Sequence, residues 1–132
     1  MVVAAAAVAD YRPAHPVSGK MRRTEDPLTL ELVPNPDIVA ALAKENPSAR
    51  VIGFAAEPDG GLDVVRQKIE RKGLFAIAAN DIGNPDIGFE SDQNELHLLW
   101  KAGAVETSGR QSKLGCALWL LEKVAPAGPG NV

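Results

Sequence analysis

Apolar runs of strand length, separated by turns and by segments of helical periodicity, constrain this chain more than any other feature. Val2 to Ala9, Arg50 to Ala56 and Leu74 to Ala79 are rich in Ala, Val and Ile and show little polar alternation, the pattern of strands buried on both faces. Leu28 to Val33 alternates apolar with polar residues instead and reads as a half-buried strand. Asn35-Pro36-Asp37 has helix-start chemistry: Asn as cap, Pro at the first helical position and Asp at the positive end of the dipole. That helix is expected to run to about Glu45. A second helix is expected from Leu62 to Lys72, with Leu62, Val65 and Ile69 on its core face and Gly73 ending it. Glu95 to Lys101 and Ala104 to Thr107 read as an antiparallel hairpin about Gly103. A last helix from Gln111 to Val124 repeats Leu114, Ala117, Leu118, Leu121 and Val124 at helical spacing. Strands alternating with helices predict an α/β fold, a Rossmann-like mostly parallel sheet flanked by helices, with ligands outside the carboxyl ends of the strands.

At 132 residues and 45% hydrophobic content the chain has material for one ordinary core, so one domain over 1–124 is expected. The Pro- and Gly-rich stretch 125–132 reads as a disordered tail. A formal charge of -3 argues against bulk attraction to nucleic acid or membrane, which makes the local cluster Lys20, Arg22 and Arg23 conspicuous. The single cysteine, Cys116, has no internal disulfide partner, and no charged segment followed by a long apolar stretch and cleavage site opens the chain. The cytoplasm is therefore the expected compartment. Val2 to Ala9 falls far short of the roughly 20 residues that span a bilayer. A buried strand so close to the first residue suggests a domain that is incomplete at its N-terminus.

Small residues ending in Asp10, followed by a Pro-containing loop and then Lys20-Met21-Arg22-Arg23, are the parts of a phosphate site. Small side chains admit a nucleotide to the backbone, an acid can fix a sugar or metal, and cations neutralise polyphosphate. The Asp10 to Gly19 loop suits a flap. Each residue also has a plainer reading: Lys20, Arg22 and Arg23 as a solvated turn, Asp10 and Asn80-Asp81 as turn residues, Phe54 as core, and Lys68 and Lys72 as helix-surface lysines. His15, His97 and Cys116 form no metal-ligand spacing, and neither GxGxxG nor GxxxxGK[ST] is present.

Taken together the blocks AAAVADYRP at 5 to 13, K-x-R-R at 20 to 23, NPDI at 35 to 38, GFAAE at 53 to 57, RxKIERKG at 66 to 73, AND at 79 to 81 and GFxSDxNxLHL at 88 to 98 resemble the C-terminal half of the bacterial phosphopantothenate-cysteine ligase domain. That domain is the synthetase part of a bifunctional coenzyme A biosynthesis flavoprotein. The resemblance implies a two-step reaction in which 4'-phosphopantothenate is activated by CTP as an acyl cytidylate and then joined to cysteine. It implies that Ala6 and Ala7 line the intermediate's site, that Asp10 contacts the nucleotide, and that Lys20 is the catalytic flap lysine. Pro36, Asp37, Ile38 and Val39 would receive the base, Phe54 would pack on the nucleotide, and Lys68 and Lys72 would reach the triphosphate.

Arg22 and Arg23 stand where the family has lysines, which preserves charge and alters donor geometry. Magnesium would accompany CTP, no flavin is expected on this segment, and residues holding a metal are not identified. The resemblance also implies a homodimer. The family's Gly-rich strand-helix segment and substrate-binding Asn upstream of AAAVADYRP have no counterpart here, so an upstream chain or domain is expected to complete the site.

Overall fold

The computed structural model describes residues 1–57, 61–81 and 91–125. Contacts divide the chain into two compact units, Met1–Ala5 with Val39–Val132, and Ala6–Ile38.

The larger unit is built on a five-stranded sheet. Its strands are β1 (Val2–Ala4), β4 (Val51–Glu57), β5 (Ala76–Asp81), β7 (Leu96–Trp100) and β8 (Val105–Thr107), side by side in that order. β1, β4 and β5 are mutually parallel, and β7 and β8 add on antiparallel, so the parallel core strands and the terminal hairpin both match the sequence reading. β4 and β5 occupy the apolar runs at 50–56 and 74–79, where burial on both faces selects small and β-branched residues. Val51, Gly53 and Ala55 face one side of the sheet with Ile77, Ala79 and Leu99. Ile52 faces the other with Ala76, Ala78, Leu96 and Leu98.

Two helices cover the first face. α1 (Ile38–Glu45) contributes Val39 and Ala43, and α2 (Leu62–Lys72) contributes Leu62, Val65 and Ile69 to that core. α2 ends where the sequence says it should. Gly73 adopts φ 66°, the left-handed conformation that costs other residues a Cβ clash, while the Gly73 and Leu74 amides bond back to Glu70 and Ile69. Gly53 answers to packing instead: a Cβ there would lie 3.0 Å from the Leu74 Cδ1 atom and 3.4 Å from Ile77.

Among the described residues one helix, α3 (Lys113–Val124), covers the second face through Cys116, Leu120 and Val124. The Ser112 hydroxyl accepts from the Gly115 amide at 3.0 Å to cap its start. Arg50 donates to the Val124 and Ala125 carbonyls at its end, placing a cation against the negative end of the dipole. The same guanidinium lies 4.9 Å over the Phe75 ring, which packs edge-on against Trp100. A short antiparallel pair, β6 (Gln93–Asn94) with β9 (Gln111–Ser112), leads into α3. No helix of the described residues is long and apolar enough to cross a membrane.

The smaller unit is a hairpin of three-residue strands, β2 (Tyr11–Pro13) and β3 (Leu32–Pro34). Three expectations are corrected at these edges. The first strand covers Val2–Ala4 and does not continue to Ala9, because Ala5 to Ala9 have no sheet neighbour and are exposed. The alternating run from Leu28 forms strand only from Leu32, and Leu28, Leu30 and Leu32 are all exposed. The helix begins at Ile38, and Asn35 does not cap it. The Asn35 side chain is engaged by the hairpin: its Nδ2 donates to the Ala9 carbonyl at 2.8 Å and its Oδ1 accepts from Arg12. The tail expected over 125–132 lies outside the described residues from 126 onward.

Candidate functional site

In the smaller unit, Asp10 stands immediately before β2. Its backbone carbonyl accepts from the Asn35 amide at 2.8 Å, while the residue itself is exposed. The bonds from Asn35 and Arg12 therefore close the base of the hairpin on both sides of Asp10. Backbone is held and the carboxylate is left to solvent. Ala6 and Ala7 precede it as exposed residues outside any strand. Lys20, Arg22 and Arg23 lie in the connection between β2 and β3, exposed, with Gly19 at φ 91° opening the turn. Pro36, Asp37 and Ile38 are exposed where the chain leaves the hairpin and enters α1.

In the larger unit, Val39 packs half-buried on the core. Phe54 is 40% exposed on a strand whose first three residues are buried. By strand alternation it faces the α3 side, at the middle of β4. Glu57 closes the same strand on the opposite face, where its carboxylate accepts from the Lys68 ammonium of α2 in a partly buried ion pair. Phe54 and Lys68 are thus on opposite faces of the sheet. Lys72, one turn beyond Lys68, lines an open groove of about 450 Å³ between α1 and α2 with Ala40, Ala43, Lys44 and Arg71.

Sequence reasoning missed two participants. Glu57 pairs with Lys68, and the available signal is a carboxylate at a strand's carboxyl end with a lysine two turns into the following helix. Asn35 fastens the neck around Asp10, and no local pattern marks that role because its partners are 23 and 26 residues away. Among the described residues no three His, Cys, Asp or Glu side chains come together as a metal site. Cys116 is buried beside the Asn94 carbonyl and the Ser108 hydroxyl.

Parallel core strands between helices define the class as a Rossmann-like α/β domain. The chain belongs to the DNA/pantothenate metabolism flavoprotein C-terminal domain family, whose profile matches residues 1–127. It is 45% identical over 105 residues to the coenzyme A biosynthesis bifunctional protein CoaBC of Escherichia coli K12, covering 76% of this chain and 26% of that protein. The CoaBC of Bacillus subtilis is 32% identical over 125 residues, covering 95% of this chain and 31% of the relative. The crystal structure of a CoaBC C-terminal domain superposes with a TM-score of 0.71 at 28% identity, over 93% of this chain and 54% of that one. A DNA/pantothenate metabolism flavoprotein from Streptococcus pneumoniae gives the same TM-score at 25% identity, over 92% and 61%. The chain spans about half of the first of these solved domains and about a quarter to a third of the two curated relatives.

Proposed function

We propose that this chain supplies the nucleotide-binding part of a phosphopantothenate-cysteine ligase that uses CTP. The observation that carries this reading is the family match across residues 1–127. Exposure of Asp10, Lys20 and Phe54 supports it, because each presents the group that a nucleotide needs: an acid, a cation and an aromatic face.

In the proposed reaction the 4'-phosphopantothenate carboxylate attacks the α-phosphorus of CTP. The bond to pyrophosphate breaks and an acyl cytidylate forms. The amine of cysteine then attacks the acyl carbon, CMP leaves with the bonding pair, and the amide nitrogen loses its proton. Lys20 counters charge on the phosphate oxygens in both displacements. Ala6 and Ala7 leave room for the intermediate. Pro36, Asp37, Ile38 and Val39 present backbone to the base, and Phe54 packs on the nucleotide. Lys68 and Lys72 reach the triphosphate, Lys68 by exchanging Glu57 for phosphate. Magnesium carried on the triphosphate would neutralise charge on the phosphates, and no residue of this chain is assigned to hold it. The protein acts as a homodimer in the cytoplasm.

The test is a calorimetric titration with magnesium-CTP, compared with magnesium-ATP. Saturable binding that favours CTP is expected, and a cooperatively melting chain that binds neither would refute the nucleotide assignment. The alternative reading is a nucleotide-binding or dimerising segment without turnover. It predicts CTP binding with no pyrophosphate release when phosphopantothenate and cysteine are added.

A further inference from the structure

Glu57 and Lys68 join the carboxyl end of β4 to the middle of α2. Docking of the helix does not depend on them, because Leu62, Val65 and Ile69 already pack α2 on the sheet. The pair stands at the end of the strand where open α/β sheets receive ligands. Its two members are held unequally. The Glu57 side chain is 17% exposed and the Lys68 side chain 33%. Backbone closes on the acid: a Cβ at Gly61 would lie 3.3 Å from the Glu57 Cβ atom and 3.9 Å from its Oε2. The carboxylate is thereby fixed, whereas the ammonium rides on a flexible four-carbon stem. Movement within the pair belongs to Lys68.

An ammonium drawn away from a partly enclosed carboxylate leaves that carboxylate without its counter-charge, which favours the ammonium's return. A ligand that recruits Lys68 must therefore offer it comparable negative charge, as a phosphate chain does. A ligand that lacks such charge leaves the pair closed.

We infer that Glu57 is a positioning residue that acts as a return latch on Lys68. It yields the ammonium to the β- and γ-phosphates of the bound nucleotide and takes it back from pyrophosphate after the first displacement. In that step the bond from the α-phosphorus to the bridging oxygen breaks and its electron pair leaves with pyrophosphate. Lys68 then holds only the departing product. Retrieval of the ammonium by Glu57 removes one of that product's cations and hastens its exit. This inference rests on the nucleotide reading above and adds to it a part in product release for a residue that touches no substrate.

The experiment titrates the full chain and its Glu57→Gln variant with magnesium-CTP, magnesium pyrophosphate and CMP in a calorimeter. Gln keeps the shape of Glu57 and removes its charge, so the packing against Gly61 is retained. CTP and pyrophosphate should each bind the variant about 2–5 times more tightly, with CMP unchanged. In a Lys68→Ala background the same substitution should alter none of the three, which separates a latch from a merely structural ion pair. Unchanged or weaker pyrophosphate binding by Glu57→Gln overturns the latch, while CTP binding by the unaltered chain upholds the nucleotide reading. Equal tightening of CMP, or an effect that persists without Lys68, overturns the latch too. If the unaltered chain binds no CTP, the nucleotide reading fails and the latch falls with it.

Discussion

The sheet unit and the hairpin unit hold themselves together by different means. In the sheet unit, Ile52, Leu74, Ile77, Leu98 and Leu99 are almost fully buried, and the strands are fixed by side chains packed on both faces. In the hairpin unit, Leu28, Leu30 and Leu32 are more than half exposed, and order comes from backbone pairing and the bonds made by Asn35 and Arg12. A packed core resists change everywhere. A hairpin tied at its base leaves its side chains available, and Asp10 and Lys20 belong to that second kind of structure.

The sharpest test of the comparison is truncation in each unit. Leu98→Ala should lower unfolding free energy by about 2–5 kcal/mol, through lost transfer energy and a cavity. Leu30→Ala should change it by less than about 0.5 kcal/mol in the same denaturant titration. Equal losses would show that the hairpin has a core of its own.

Lys20→Ala should separate chemistry from stability. Under the proposed role, the rate of pyrophosphate release by the chain together with the rest of its domain should fall on the order of 100-fold, with the thermal midpoint unchanged. Full ligation by this variant would remove Lys20 from the chemistry.

Asn35→Ala should loosen the hairpin neck alone. Losing its bonds to Ala9 and Arg12 should cost about 1 kcal/mol locally. Amide exchange at Asn35 should then rise roughly fivefold while that of β4 and β5 stays constant. Glu57→Gln should release Lys68 from its ion pair and tighten CTP binding by a factor of about 2–5, read by calorimetry. Weaker binding would mean that Glu57 positions Lys68 for the phosphate.

The smallest effect concerns pH. The hydrogen bond from Lys123, aided by that from Trp100, holds the Glu106 carboxyl below its ordinary value. A carboxyl depressed in the folded state adds stability above its unfolded pKa and loses it as pH falls through the folded one. Glu106→Gln should therefore flatten a slight acid-side decline in stability and leave CTP affinity unchanged.

Much of the sheet unit was legible because its signals are local. Gly73 stops α2 through its own φ, and the unbroken apolar run in β4 has no polar face to present to water. The hairpin was harder to read. The alternation from Leu28 to Val33 imitates a half-buried strand, but periodicity records which residues could share a face and not whether anything covers it. Asn35-Pro36-Asp37 satisfies every local rule for a helix start, and partners more than 20 residues away in sequence claimed the Asn instead.

The same division runs through the candidate site. Lys20, Asp10 and Phe54 could be nominated from residue type and block order, because charge, size and aromaticity belong to the residue itself. That Phe54 stays exposed on a buried strand, that Glu57 holds Lys68, and that Leu114, Leu118 and Leu121 are exposed on α3 were decided only by the fold. Burial and partnership depend on which distant segments arrive at a residue's side, and the chain specifies those arrivals collectively, through the free energy of the whole packing.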